Sequence, residues 1–274
     1  MSAGRTQVLL FAGAVALFVL LFIAPRIKPS SAGATGNTQG SGGAGSISAM
    51  EVYEKMAVKS LAPEHKEKHD RFAGEKAYDS LQHFWLKHKH PEMSALVAER
   101  KALASNKADD YFLAGNRYYN AVRFTSDNSA VPVLFQSAIR CFKAGLEKDP
   151  SDTDAKIMLA SSYVEGSSQP MEGIRLLREV EAVDSSNIKL QLSFAFFSVK
   201  SGQLDKAIER FNKVLAIDSN YVEAYLHLAD AYEQQQNTEA TIEVLRKYMQ
   251  KTDDITAKLE VAKYIDQLKT RNNN

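Results

Sequence analysis

An internal repeat constrains this chain more than any other feature. Sliding residues 188–221 onto 222–255 pairs Phe194 with Leu228, Ala195 with Ala229, Ile208 with Ile242, Phe211 with Leu245 and Leu215 with Met249, each pair 34 positions apart. The stretch 153–187 joins the series with one extra residue between its halves. Leu159 and Ala160 precede Phe194 and Ala195 by 35 positions, whereas Ile174, Leu177 and Val180 precede Ile208, Phe211 and Val214 by 34. Apolar residues inside each unit recur at helical spacing, and strand signals are nearly absent. A unit of this size cannot bury its apolar face alone. Stacking buries it, so the period predicts an all-α solenoid of helix-turn-helix units.

The residue types at fixed places in the period carry more. The last unit shows Tyr225, Leu228, Ala229, Tyr232 and Leu245; its predecessor shows Phe194, Ala195, Gly202, Ala207 and Phe211. Upstream, Tyr111, Ala114, Gly115 and Tyr118 read as a first helix, and Ala138, Phe142, Leu146, Asp149 and Pro150 as a second helix with its exit. Small residues let paired helices approach, and the larger apolar ones fill the space between them. With that spacing, the chain resembles the tetratricopeptide repeat (TPR) family over roughly residues 108–255. Four units are expected, 108–152, 153–187, 188–221 and 222–254, the first enlarged by an insertion of about eleven residues around Thr125 to Leu134. Ile255 to Lys269, after Asp253-Asp254, reads as the capping helix, with 270–274 a disordered tail. Residues 47–107 read as helices over Met50–Leu61, Glu64–Lys87 and Glu92–Ala104, either divergent repeat-like hairpins or an N-terminal cap.

At the other end, residues 1–7 form a short flank, and Val8 to Ala24 is an uninterrupted apolar run between Arg5 and Arg26. Extended over 8–27, it reaches the roughly 20 residues that a transmembrane helix needs. A cleavable signal peptide is the rival reading, but its apolar stretch is normally about 7–15 residues. The best small-residue cleavage site here, Ala32-Gly33-Ala34, lies well beyond the run. A single-pass anchor in an inner (cytoplasmic) membrane, with the C-terminal domain in the periplasm, is the preferred expectation, although the flanking cations are nearly balanced. Residues 28–46 hold six of the chain's 14 glycines and read as a flexible linker. The match of Gly40 to Gly45 to a dinucleotide fingerprint lacks the strand and helix that its chemistry requires.

The resemblance also implies where a partner would lie. In this family the first helix of each pair lines the binding face through positions 2, 5, 6, 9, 12 and 13. Transferred here, these positions give Phe112, Leu113, Asn116 and Tyr119 in the first unit, and Ile157, Met158, Ser161 and Val164 in the second. They give Leu192, Phe196, Val199 and Lys200 in the third, then Leu226, His227, Asp230 and Glu233 in the fourth. The expected groove is apolar over three units and acidic at its end, and it binds protein or peptide unless residues 47–107 fill it. A carboxylate clamp is not expected. Asn116 and Lys189 match its pattern, but Phe112, Met158 and Ser193 replace its other donors.

Composition excludes more than it assigns. The 34 Lys and Arg balance 33 Asp and Glu, so no clustered excess of cations favours nucleic acid. The single cysteine, Cys141, rules out an internal disulfide. His65, His69, His83, His88 and His90 invite a metal reading, with His65 and His69 the weak candidates, yet no third ligand is fixed by spacing. A solvated Lys/His face is the expectation. No catalytic constellation and no cofactor motif emerges, and oligomeric state is not set by the sequence. A membrane-tethered scaffold for assembling an envelope complex is the function expected. A cleaved, exported repeat protein and a His-rich metal-binding protein are the alternatives.

Overall fold

Apolar residues at helical spacing, punctuated by Pro, Gly and Asx-type caps, fold into thirteen α-helices among the described residues, which are 42–125 and 127–272 of a computed structural model. In order these are α1 (Gly42–Ser60), α2 (Pro63–Gly74), α3 (Tyr78–Lys87), α4 (Pro91–Ser105), α5 (Ala108–Ala121), α6 (Val131–Lys148) and α7 (Thr153–Gly166). They continue as α8 (Pro170–Val183), α9 (Ile188–Lys200), α10 (Leu204–Ile217), α11 (Val222–Gln234), α12 (Thr238–Lys251) and α13 (Ile255–Asn272). No strand occurs among the described residues.

Local chemistry sets the helix ends. Side-chain oxygens of Asp152, Asn187, Asn237 and Asp254 accept from the backbone N–H three residues on, at 2.6, 3.0, 3.1 and 3.0 Å, starting α7, α9, α12 and α13. Pro63, Pro91 and Pro170 open α2, α4 and α8, where a missing N–H costs nothing. The first helices of the last two pairs, α9 and α11, end by a shared reversal. Gln203 N–H bonds to the Ser198 carbonyl at 2.8 Å and Asn237 N–H to that of Tyr232 at 2.9 Å, with Gly202 and Gln236 left-handed between them. The same reversal closes α3, where His90 N–H reaches the Trp85 carbonyl at 2.9 Å across left-handed Lys89. Helices α3 and α4 therefore form a hairpin turned like the repeats.

Several boundaries differ from expectation. Glu64–Lys87 is two helices rather than one. Lys76 is left-handed at φ 51° and Ala77 N–H bonds back to Phe72 at 2.9 Å, which ends α2 just after Gly74. Helix α1 begins at Gly42, inside the stretch expected to be linker, and α13 runs to Asn272, through most of the expected tail. Leu268 is buried near that end, and Thr270 Oγ1 donates to the Asp266 carbonyl at 2.9 Å. Asp109 and Asp110 do not cap α5, whose N-cap is Lys107. They lie in its first turn, beside the positive end of its dipole.

Helices pair antiparallel as α5/α6, α7/α8, α9/α10 and α11/α12, with α13 against α12. Buried apolar residues fall into three clusters. One runs from Met50 to Leu159, a second from Ala195 to Leu268, and a small third (Ile157, Ala160, Leu177, Val180, Leu190) lies where α7 and α8 meet α9. At that junction polar contacts supplement the small apolar one. The Arg210 guanidinium pairs with Glu181, donates to Gln191 Oε1 at 2.9 Å and lies 4.4 Å from the Phe194 ring centroid. Within the first cluster a buried carboxylate is fully engaged. Glu99 accepts from Arg140 Nε and Nη2, both at 2.8 Å, and from the Tyr118 hydroxyl at 2.8 Å, joining α4, α5 and α6.

Among the described residues no helix is long and apolar enough to cross a membrane. The expected span over 8–27 and the flank before it lie outside those residues, as does most of the expected linker.

Candidate partner-binding groove

The first helices of three successive units, α5, α7 and α9, leave an open groove of about 440 Å³ between them. Its apolar wall is Phe112 from α5, Ile157 and Met158 from α7, and Leu192, Phe196 and Phe197 from α9. Phe112 and Ile157 are buried and belong to the repeat core as much as to the groove. Phe196 is 42% exposed and presents a ring to solvent. Exposed aromatic surface of that kind gains most from being covered.

Polar groups form the rim. Asn116 Nδ2 is turned back onto the Phe112 carbonyl at 2.9 Å. The Tyr119 hydroxyl donates to Glu165 Oε1 at 2.6 Å, and burial first, then that carboxylate, hold its pKa above the ordinary phenol value. Lys189 pairs with Asp154 across α7 and α9, and Asp152 is occupied as the α7 cap. Of the groove charges, only Lys189 is cationic; Asp152, Asp154 and Glu165 are anionic.

Eight of the residues expected from the sequence line this groove: Phe112, Asn116, Tyr119, Ile157, Met158, Ser161, Leu192 and Phe196. Val164 and Val199 do not. Val164 packs toward α8 beside Gly173, and Val199 packs against the second core cluster, because position 12 turns from the groove toward the paired helix in these units. Lys200, Leu113 and Leu226 are exposed outside it. Asp154, Glu165 and Lys189, which the sequence reading did not select as groove residues, occupy positions 2 and 13 of their units. The register therefore carried the signal for them. Among the described side chains, none from α1 to α4 lines the groove. Helix α1 packs on α4 and α6, so the alternative that 47–107 fills the groove finds no support among the described residues.

Beyond Phe196 the same face continues onto α11. The His227 ring meets Phe196 edge-on at 4.8 Å and stacks on Phe211 at 5.6 Å, and burial lowers its pKa, with Glu223 opposing. One helical turn further, Asp230 accepts a single hydrogen bond, from Gln234 Nε2 at 2.8 Å. Burial raises its carboxyl above the usual range, and Glu233 raises it further. A smaller cavity of about 320 Å³ lies between α10, α11 and α12, lined in part by core residues such as Leu228 and Val244.

The histidines do not gather. His65 stands against His88 at 4.5 Å between ring centroids, while His69 is buried against Trp85 at 5.2 Å, its Nδ1 2.9 Å from Asp70. The expected solvated face thus fails at His69, which packs α2 onto α3. Among the described residues no three His, Cys, Asp or Glu side chains are grouped as metal ligands. Cys141 is buried, and its thiol is pushed up by that burial.

Residues 199–236, the end of α9 through α11, match a family model described as "TPR repeat". A search of curated proteins finds no match. Among solved structures, TTC0263, a thermophilic TPR protein in Thermus thermophilus, is 15% identical with a TM-score of 0.49, covering 67% of this chain and 95% of that one. MamA 41-end from Desulfovibrio magneticus RS-1 is 18% identical with a TM-score of 0.48, covering 64% and 93%. YrrB, described as a TPR protein with an unusual peptide-binding site, is 21% identical with a TM-score of 0.43, covering 68% and 90%. Over residues 199–236, from the end of α9 through α11, the chain is similar to a TPR repeat, and Gly202 and Gln236, the left-handed residues in the reversals that close α9 and α11, fall within that stretch.

Proposed function

We propose that this chain is a non-catalytic scaffold that holds a segment of a partner protein in the groove between α5, α7 and α9. The observation that carries the reading is an open groove of about 440 Å³ in which the Phe196 ring, propped on His227 and Phe211, stays 42% exposed. Such a groove fits an extended or helical segment with apolar anchors. A protein or peptide partner is also what the repeat family implies. The membrane-tethered form of this reading, with the run over 8–27 as an anchor in the inner membrane and the repeats in the periplasm, rests on the apolar sequence alone. In that setting the scaffold would serve assembly of an envelope complex.

Recovery of partners by pull-down with Phe196→Glu tests the groove. Loss of a specific partner from a folded variant is expected, and unchanged recovery contradicts the reading. Mass spectrometry of the N-terminus tests the tether. An intact N-terminus is expected, while a start near Ala32 to Ala34 gives a cleaved, exported protein. Protease accessibility in intact and opened cells then tests the orientation.

A further inference from the structure

The groove's apolar floor and the α11 carboxylate beyond it are continuous. Phe196 lines the groove and touches His227, and Asp230 follows His227 by one turn on the same helix face. Asp230 is only partly exposed and makes no ion pair among the described residues; its one donor is the neutral amide of Gln234. At the other end of the floor, Glu165 is held by a phenol rather than a cation. Arg123 acts on Tyr119 at that end of the floor, and two further cations lie along it. Lys189 is committed to Asp154, and Lys200 lies exposed at the end of α9 and does not figure among the charges acting on Asp230.

A carboxylate drawn partly out of water without a cation gains more from a charged donor than a fully solvated one does. An apolar floor ending in such a group matches a ligand with the complementary order of chemistry. We propose that the groove's occupant is a partner segment bearing large apolar side chains followed by a lysine or arginine, whose cation Asp230 receives. This rests on the groove reading above and adds the sign and place of the charge. The anions lining or following the floor, Asp152, Asp154, Glu165 and Asp230, outnumber its cations, so an acidic segment is repelled where a basic one is drawn in.

Fluorescence anisotropy with the full chain tests this, using two labelled peptides of one length and leucine pattern, one with lysine at the remaining positions and one with glutamate. A third peptide with serine for leucine reports on charge alone. The leucine/lysine peptide is expected to bind about tenfold or more tighter than the leucine/glutamate one, and tighter than the serine/lysine one. Asp230→Asn is expected to weaken the leucine/lysine peptide severalfold and, by removing one repelling charge, to leave the glutamate peptide no weaker or slightly tighter. Phe196→Ser weakens both leucine peptides. Equal affinity for the two leucine peptides, or no effect of Asp230→Asn, overturns the cationic partner while leaving the groove reading intact so long as Phe196→Ser still acts. If neither leucine peptide binds a chain with full helical circular dichroism, the groove reading falls as well. A chain found as a dimer that Phe196→Ser dissociates makes a second copy the occupant, and also overturns the proposal.

Discussion

The ring of Phe196 stands edge-on to that of His227, 4.8 Å between centroids with 88° between planes, while His227 lies nearly parallel to buried Phe211. The exposed ring of the groove is thus propped against the core of the last two repeats, and its own outer edge is left bare. Replacing it removes binding surface more than it removes core. Phe196→Ala is expected to lower unfolding free energy by about 1–2 kcal/mol, well short of the roughly 3–5 kcal/mol typical of a buried phenylalanine, while weakening peptide binding about tenfold. Urea unfolding and anisotropy on the same preparation check the two numbers together.

Asp230 destabilises the fold where it is charged. Burial raises its folded-state pKa above the unfolded value, so its favourable contribution exists at acid pH and is lost as pH rises from the unfolded value of about 3.8 through the folded one. The groups around it, Glu233 with its Tyr264 partner and Gln234, supply no cation to reverse the sign. Asp230→Asn is therefore expected to raise the melting midpoint at pH 7, by an amount equivalent to less than about 1 kcal/mol because the group is partly solvated, and to make no difference well below the unfolded value, at about pH 2–3. Melting curves across that range decide it. A variant less stable at pH 7 would contradict the burial argument.

Glu99 is the opposite case, a buried carboxylate whose partners would be stranded by its loss. Glu99→Ala leaves Arg140, which already has Nη1 unsatisfied, and Tyr118 buried without their acceptor. The expected cost is about 3–5 kcal/mol in urea unfolding, against little or no change for Glu243→Ala on the exposed surface of α12. Similar costs for the two would mean that the α4–α5–α6 network is solvated.

Two glycines separate close packing from composition. A Cβ on Gly173 would meet the backbone carbonyl oxygen of Ala160 and the Val164 side chain, whereas one on Gly74 would meet nothing within 4 Å. Gly173→Ala is expected to force α8 away from α7 and cost about 1–3 kcal/mol. Gly74→Ala is expected to be neutral or stabilising by up to about 1 kcal/mol. Thermal unfolding of both checks the contrast. Equal effects would mean that α7 and α8 are less closely packed than described.

The repeat was legible because packing writes it into spacing. Ala195, Ala207, Ala229 and the larger residues between them are buried as a 34-residue period requires. The break between α2 and α3 was not legible, since the left-handed residue there is Lys76, and a lysine gives no hint of positive φ; the glycine lies two positions earlier. The paired fate of His65 and His69 was hidden for a related reason. Helical spacing places both on one face but does not say that α3 arrives with Trp85 over one and His88 near the other. In the groove, transferring family positions found Phe112, Met158 and Phe196 but overshot at Val164 and Val199. Two positions of the same helix can face the partner helix or the opening, depending on crossing angle, which a single sequence does not encode locally.

The central claim, that partner protein occupies the groove between α5, α7 and α9, is tested most directly by site-specific photo-cross-linking. A photo-reactive residue is placed in turn at Met158, at Phe196 and at Val183, which is 87% exposed at the end of α8 and outside the groove. The account predicts one shared partner adduct from Met158 and Phe196, reduced by competing leucine/lysine peptide and absent from Val183. Adducts that form equally from all three positions, or from Val183 alone, would contradict it.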